Sequence, residues 1–325
     1  AVFCSCAIAA CSRSDPEKAP GVAVVAPELS AATKPAPPAS ATSRDAETEA
    51  GPREPAHELT WSFDATEVGP MGVVVSIPEH NPGERFPVLI AFHGLGEAKK
   101  GPERGARGWL DDYWMGRALE RLNRGFLVRE DFLGFVEEQR LASINQGLKS
   151  RAYAGLVVVT PYTPTVIRGE RPFDNAPPLA RFVNDVLLPR VVRETPALVA
   201  PQATGVDGVS LGGRAAILVG LLKPERFGAL GALQAAFDPE DVPEIVERAR
   251  RALDENPELK LRLVSSDDDY YLGVNRAIAR ALRSAEVPHS LLVVPGPHAY
   301  EFNRGPGAYE MLLFHDRVLR GLPPL

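Results

Sequence analysis

Hydrophobic positions along this chain follow two periodicities that alternate from about residue 58 onward. Leu59-Thr60-Trp61-Ser62-Phe63 places apolar and polar side chains in turn, as a half-buried strand does. Residues 72–78 form a further strand candidate ahead of the turn signal Asn81-Pro82-Gly83, and 86–92 is a continuous apolar run, the pattern of a strand covered on both faces. Runs at 155–160 and 261–265, with shorter ones at 204–209, 228–233 and 290–294, bring the expected total to about eight strands. Between them lie helical stripes. Residues 179–194 set Leu179, Phe182, Val183, Val186, Leu187 and Val191 on one face, and 214–222 is apolar nearly all round. Residues 274–285 and 309–319 are amphipathic.

Strands alternating with helices predict an α/β fold: a mostly parallel sheet, helices on both faces, and ligands at the carboxyl edge. One stretch exceeds an ordinary crossover. Residues 97–150 carry two expected helices, 115–123 and 130–141, and predict a helical insertion after the third strand that serves as a lid, a cleft wall or a surface addition.

Residues 1–57 are of another kind. Residues 1–11, AVFCSCAIAAC, read as the end of a secretory hydrophobic region. Ile8-Ala9-Ala10-Cys11 resembles the bacterial lipobox, which implies a lipid on Cys11; an ordinary cleaved signal peptide is the alternative. Residues 12–57 are rich in Ala, Pro, Ser, Thr and Glu and almost free of aromatics, a composition that predicts a disordered tether to a folded body at 58–325. The expected location is the bacterial cell envelope, with membrane contact only through the lipidated N-terminus.

Composition narrows the chemistry. The chain has 325 residues, 45% hydrophobic and 24% charged, with a net charge of −6 and no basic stripe to neutralise nucleic-acid phosphates. Its cysteines are Cys4, Cys6 and Cys11, so the body offers no disulfide, thiolate metal site or cysteine nucleophile. No metal or organic cofactor is expected.

Gly208-Val209-Ser210-Leu211-Gly212-Gly213 is a G-x-S-x-G sequence between an expected strand and an expected helix, the setting of a nucleophile elbow with Ser210 at its tip. A serine hydroxyl needs a base in reach. Of six histidines, His298 follows the final strand at the carboxyl edge and is the candidate base; His57 and His80 lie early in turns, His289 is at the wrong end of the sheet, and His315 sits in the last helix. Asp267-Asp268-Asp269 follows the penultimate strand, and spacing does not choose among the three. Phe92-His93-Gly94-Leu95-Gly96 follows the third strand, where the amides of Leu95 and Leu211 would make an oxyanion hole; His93 is expected to brace that loop.

Phe92-His93-Gly94, Gly208–Gly213, Pro224-Glu225-Arg226-Phe227-Gly228 and Gly296-Pro297-His298 together resemble the α/β-hydrolase superfamily, and within it the bacterial esterase D and feruloyl-esterase-like branch. The similarity runs in order from about residue 72 to the C-terminus, excluding much of the insertion. In that branch an aspartate precedes two apolar residues and, further on, an Asn-Arg that opens a helix. Asp269-Tyr270-Tyr271-Leu272-Gly273-Val274-Asn275-Arg276 matches this, so the resemblance selects Asp269. It implies a serine esterase acting on a small-molecule ester through Ser210, Asp269 and His298, with an acyl-enzyme intermediate. Pro297 where relatives often carry glycine, and Glu97 where they often carry a small residue, leave the substrate open. A peptidase of the prolyl-oligopeptidase type and a tethered, non-catalytic binding module on the same fold are the alternatives. Trp109, Tyr113 and Trp114 are candidates for an aromatic-accepting pocket or for core. Oligomeric state is not legible.

Overall fold

The computed structural model describes residues 52–325. Cys11, the lipobox-like end and almost all of the expected tether lie outside the described residues. Strand pairing begins earlier than the expected boundary at 58: Glu54 bridges His80, and the first strand starts at His57.

Eight strands form one sheet: β1 (His57–Phe63), β2 (Met71–Ile77), β3 (Val88–Phe92), β4 (Val157–Pro161), β5 (Thr204–Gly208), β6 (Ala229–Leu233), β7 (Lys260–Asp268) and β8 (Ser290–Pro297). Their order is β1-β2-β4-β3-β5-β6-β7-β8, with β2 antiparallel to both neighbours and the rest parallel. The longer helices are α1 (Met115–Asn123), α2 (Glu138–Ser150), α3 (Leu188–Glu194), α4 (Leu211–Leu222), α5 (Val242–Glu255), α6 (Leu272–Ser284) and α7 (Ala308–Val318).

The apolar runs of the central strands are explained by burial on both sides. Val88, Ile90 and Phe92 face one core with α3, α4, α5 and α6, while Leu89 and Ala91 face the other with the insertion and α7. After β3 the chain forms β4 on one flank and β5 on the other. This reversal opens a crevice at the carboxyl ends of β3 and β5, the usual ligand position in such sheets.

Two expectations need correction, and one helix has no counterpart among the expected elements. The expected stripe at 179–194 is interrupted by a π-helical turn, Phe182–Leu187, just ahead of Pro189. Proline has no N–H to donate and its ring crowds the preceding turn, so the helix widens there. The phase shifts, and Val186 is exposed, not buried. In the insertion, the helix expected at 130–141 is a short turn, Arg129–Phe132, followed by α2. Helix α5 was not anticipated, because its buried face is Ile245, Ala249 and Ala252, two of them alanines that carry little periodic signal.

The insertion is packed and not peripheral. Trp109, Tyr113, Met115, Ala118, Leu122, Phe132, Ile144 and Leu148 are all buried in one core with α7. Among the described residues, no helix is long and apolar enough to cross a membrane.

Candidate active site

Ser210 stands at a sharp turn between β5 and α4, with φ +57° and ψ −116°, a conformation costly for a residue that has a Cβ. Close approach of backbone sets the neighbouring glycines. A Cβ on Gly212 would lie 2.3 Å from the carbonyl oxygen of Phe92, and one on Gly208 would lie 2.4 Å from that of Gly212. The elbow is tied down by the Ser210 N–H donating to the Leu233 carbonyl at 2.8 Å and by the N–H groups of Arg214 and Ala236 donating to the Ser210 carbonyl. Its hydroxyl is left to face a cleft of about 360 Å³, lined among others by Leu95, Glu97, Tyr113, Gln234, Tyr270, His298 and Tyr300.

His298 follows β8, and its Nε2 lies 3.0 Å from Ser210 Oγ. Its Nδ1 lies 2.8 Å from Asp269 Oδ1. Asp269 is buried and fully committed: Oδ1 also accepts from the Tyr271 N–H, and Oδ2 accepts from the Ser265 hydroxyl. The three adjacent aspartates take different positions. Asp267 is exposed and accepts from the Gly296 N–H at 3.0 Å, Asp268 is exposed, and only Asp269 reaches the imidazole. Tyr270 lies against the His298 ring, with centroids 4.2 Å apart. The sequence-expected Ser210, Asp269 and His298 thus come together from three carboxyl-edge loops. Pro297, the departure from the resembled pattern, uses its carbonyl to accept from Gln234 Nε2.

The loop after β3 lies directly on the elbow: the Gly212 position is in contact with the carbonyls of Phe92 and His93. Among the described residues, neither the Leu95 nor the Leu211 N–H has an acceptor, so both are open donors, one at the start of the short helix Leu95–Ala98 and the other at the start of α4. His93 braces this loop from beneath, as expected. It is fully buried, accepts from the Thr163 N–H at Nε2, and donates from Nδ1 to the Gly94 carbonyl. Burial pushes its pKa down to about 4, so the ring is neutral and the tautomer follows from its two partners.

The aromatic candidates separate. Trp109 is core and donates from Nε1 to the Phe92 carbonyl; Trp114 is covered by Arg304 and does not line the cleft; Tyr113 does. Two participants escaped sequence reasoning, Gln234 and Tyr300. Tyr300 lies two residues past His298, and that adjacency was the available signal.

Comparison with known proteins adds to this geometry. No protein-family model matches the sequence, and no curated protein matches it. Solved structures do. The chain is similar to a ferulic acid esterase, with a TM-score of 0.62 at 19% identity over 82% of this chain and 99% of that one. It is similar to the S-formylglutathione hydrolase of Staphylococcus aureus, with a TM-score of 0.54 at 14% identity over 81% and 98%. It is also similar to a substrate-bound, fluorophosphonate-binding serine hydrolase of Staphylococcus aureus, with a TM-score of 0.52 at 15% identity over 80% and 99%. With the eight-stranded sheet, its two helical layers and the insertion after β3, these likenesses show that the chain has the α/β-hydrolase fold.

Proposed function

We propose that this protein is a serine hydrolase that cleaves carboxylic esters. The observation that carries the proposal is the unbroken relay Ser210 Oγ, His298 Nε2, Nδ1, Asp269 Oδ1 at 3.0 and 2.8 Å. In this reading His298 takes the proton from Ser210 as Oγ attacks the ester carbonyl, and Asp269 holds the ring in the tautomer with hydrogen on Nδ1. The carbonyl oxygen gains negative charge, and the open N–H groups of Leu95 and Leu211 are the donors for it. Collapse of the tetrahedral intermediate breaks the bond to the alcohol oxygen, which leaves with the proton returned by His298. Water then attacks the acyl-enzyme, again with His298 as base, and releases the acid and the free hydroxyl of Ser210.

Esters are favoured over peptides by the structural neighbours, which include a ferulic acid esterase. The lipid-anchored, exported state expected from Ile8–Cys11 belongs to the same proposal; mass spectrometry of the native N-terminus tests it, and an unmodified Cys11 thiol would reject it. The central test is Ser210→Ala. Turnover of p-nitrophenyl acetate and labelling by a fluorophosphonate are both expected to vanish while the circular dichroism spectrum is unchanged. Retained turnover in that variant would reject the mechanism, and a wild-type chain that fails to label would favour a non-catalytic module.

A further inference from the structure

Glu97 lies on the loop after β3, and its carboxylate is almost completely buried in the wall of the cleft. Burial of a carboxylate is costly without partners, and its partners here are specific. The Tyr113 hydroxyl donates to Oε2, and the Tyr300 hydroxyl donates to Oε1 at 2.8 Å. Lys100 lies further off, 3.8 Å from Oε1, and is engaged with Asp112 at 2.6 Å.

Both tyrosines lead to the reacting centre. Tyr113 is buried, and its hydroxyl oxygen also accepts from the Gly94 N–H at 3.2 Å, one residue before the open amide of Leu95. Tyr300 lies two residues past His298 on the loop that carries the imidazole. The loop glycines leave room for these hydroxyls: a Cβ on Gly94 would lie 3.0 Å from the Tyr113 oxygen, and one on Gly96 would lie 3.0 Å from the Tyr300 oxygen. Burial, reinforced by Glu97, raises the pKa of Tyr113 well above its ordinary value and that of Tyr300 to about 12, so both remain donors at any working pH.

We propose that Glu97 is a positioning residue: through Tyr113 and Tyr300 it clamps the oxyanion loop to the histidine loop and fixes the distance between the Leu95 amide and His298. The proposal rests on the hydrolase reading above. Its physical basis is that small misplacements of groups that act in the transition state cost rate far more than they cost substrate binding.

The test uses the full chain and p-nitrophenyl acetate, with functional sites counted by fluorophosphonate labelling carried to completion. Glu97→Gln keeps the volume but cannot accept from both hydroxyls on charged oxygens, and Tyr113→Phe removes the acceptor of the Gly94 N–H. Each is expected to lower kcat per labelled site by about tenfold or more, with KM within about threefold. The double variant is expected to be no worse than the poorer single one, because both break one chain of bonds. Amide hydrogen exchange in residues 93–98 is expected to quicken several-fold in each. Tyr300→Phe, at a partly exposed position, is the variant least able to disturb folding and is expected to act in the same direction more weakly. A kcat per site within twofold of wild type in Glu97→Gln and Tyr113→Phe, with unchanged exchange, overturns the clamp alone. A wild-type chain that neither labels nor turns over overturns the hydrolase reading and any catalytic role for the clamp with it.

Discussion

His315 on α7 and Asp207 on β5 form a hydrogen-bonded pair, Nε2 to Oδ2 at 3.0 Å, with both side chains fully shielded from solvent. Asp207 stands three residues before Ser210, and its other oxygen accepts from the Gly208 N–H at 2.7 Å. Burial holds the His315 pKa below its ordinary value, so a neutral ring donates to the carboxylate. The nearest cation, Arg262, is 3.9 Å away and is shared with Glu310. Removing one partner of a buried pair leaves the other charge unsatisfied. His315→Leu is therefore expected to cost about 3 kcal/mol of stability, read as a shift in the urea midpoint. A loss below about 1 kcal/mol would mean that Arg262 and the Gly208 N–H suffice to hold Asp207.

The aspartate cluster makes a sharper kinetic prediction. Asp269→Asn places an NH2 group or a weaker acceptor opposite His298 Nδ1, and triads lose about 10⁴ in kcat when the tautomer is lost in this way. Asp268→Asn, at an exposed carboxylate, is expected to stay within about twofold, because it touches neither the imidazole nor the elbow. Ester turnover by the two purified variants checks the contrast. Equal losses would mean that the cluster acts through its field and not through one oxygen.

Backbone strain at the elbow can be measured by comparing two inactive variants. Alanine at 210 keeps the Cβ at φ +57°, ψ −116°, whereas glycine occupies that region readily. Ser210→Gly is expected to be more stable than Ser210→Ala by about 1 kcal/mol, the strain relieved minus the added entropy of the unfolded chain. Differential unfolding in urea decides it, and an alanine variant of equal or greater stability would show that the turn stores no strain.

The neutral, buried His93 predicts an acid limb of stability. Its folded pKa of about 4 lies below the ordinary 6.5, so between these values the unfolded chain binds a proton that the folded one does not. Stability from this residue is complete above pH 6.5, falls as pH drops, and has lost about 3 kcal/mol near pH 4. Denaturation midpoints for wild type and His93→Gln between pH 7 and 4 test this. Parallel curves would assign the acid limb to other groups.

What could be read along the chain is what local pattern encodes. Strands β2, β3 and β4 are legible because a strand covered on both faces is made mostly of apolar residues, as Val88–Phe92 is. The elbow was visible because backbones that approach as closely as Phe92 and Gly212 admit no side chain. His298 was reachable by elimination, but the choice of Asp269 over Asp267 and Asp268 came from resemblance, since three adjacent carboxylates have no distinguishing pattern. The rest was decided by folding. Tyr113 and Tyr300 meet Glu97 from 16 and 203 residues away, and His315 meets Asp207 from 108. No periodicity records such meetings, because they depend on which strand edge each loop leaves and which core each helix covers. Local sequence specifies the elements and the turn chemistry at Ser210; packing of the insertion and α7 against the sheet specifies which buried charges find partners.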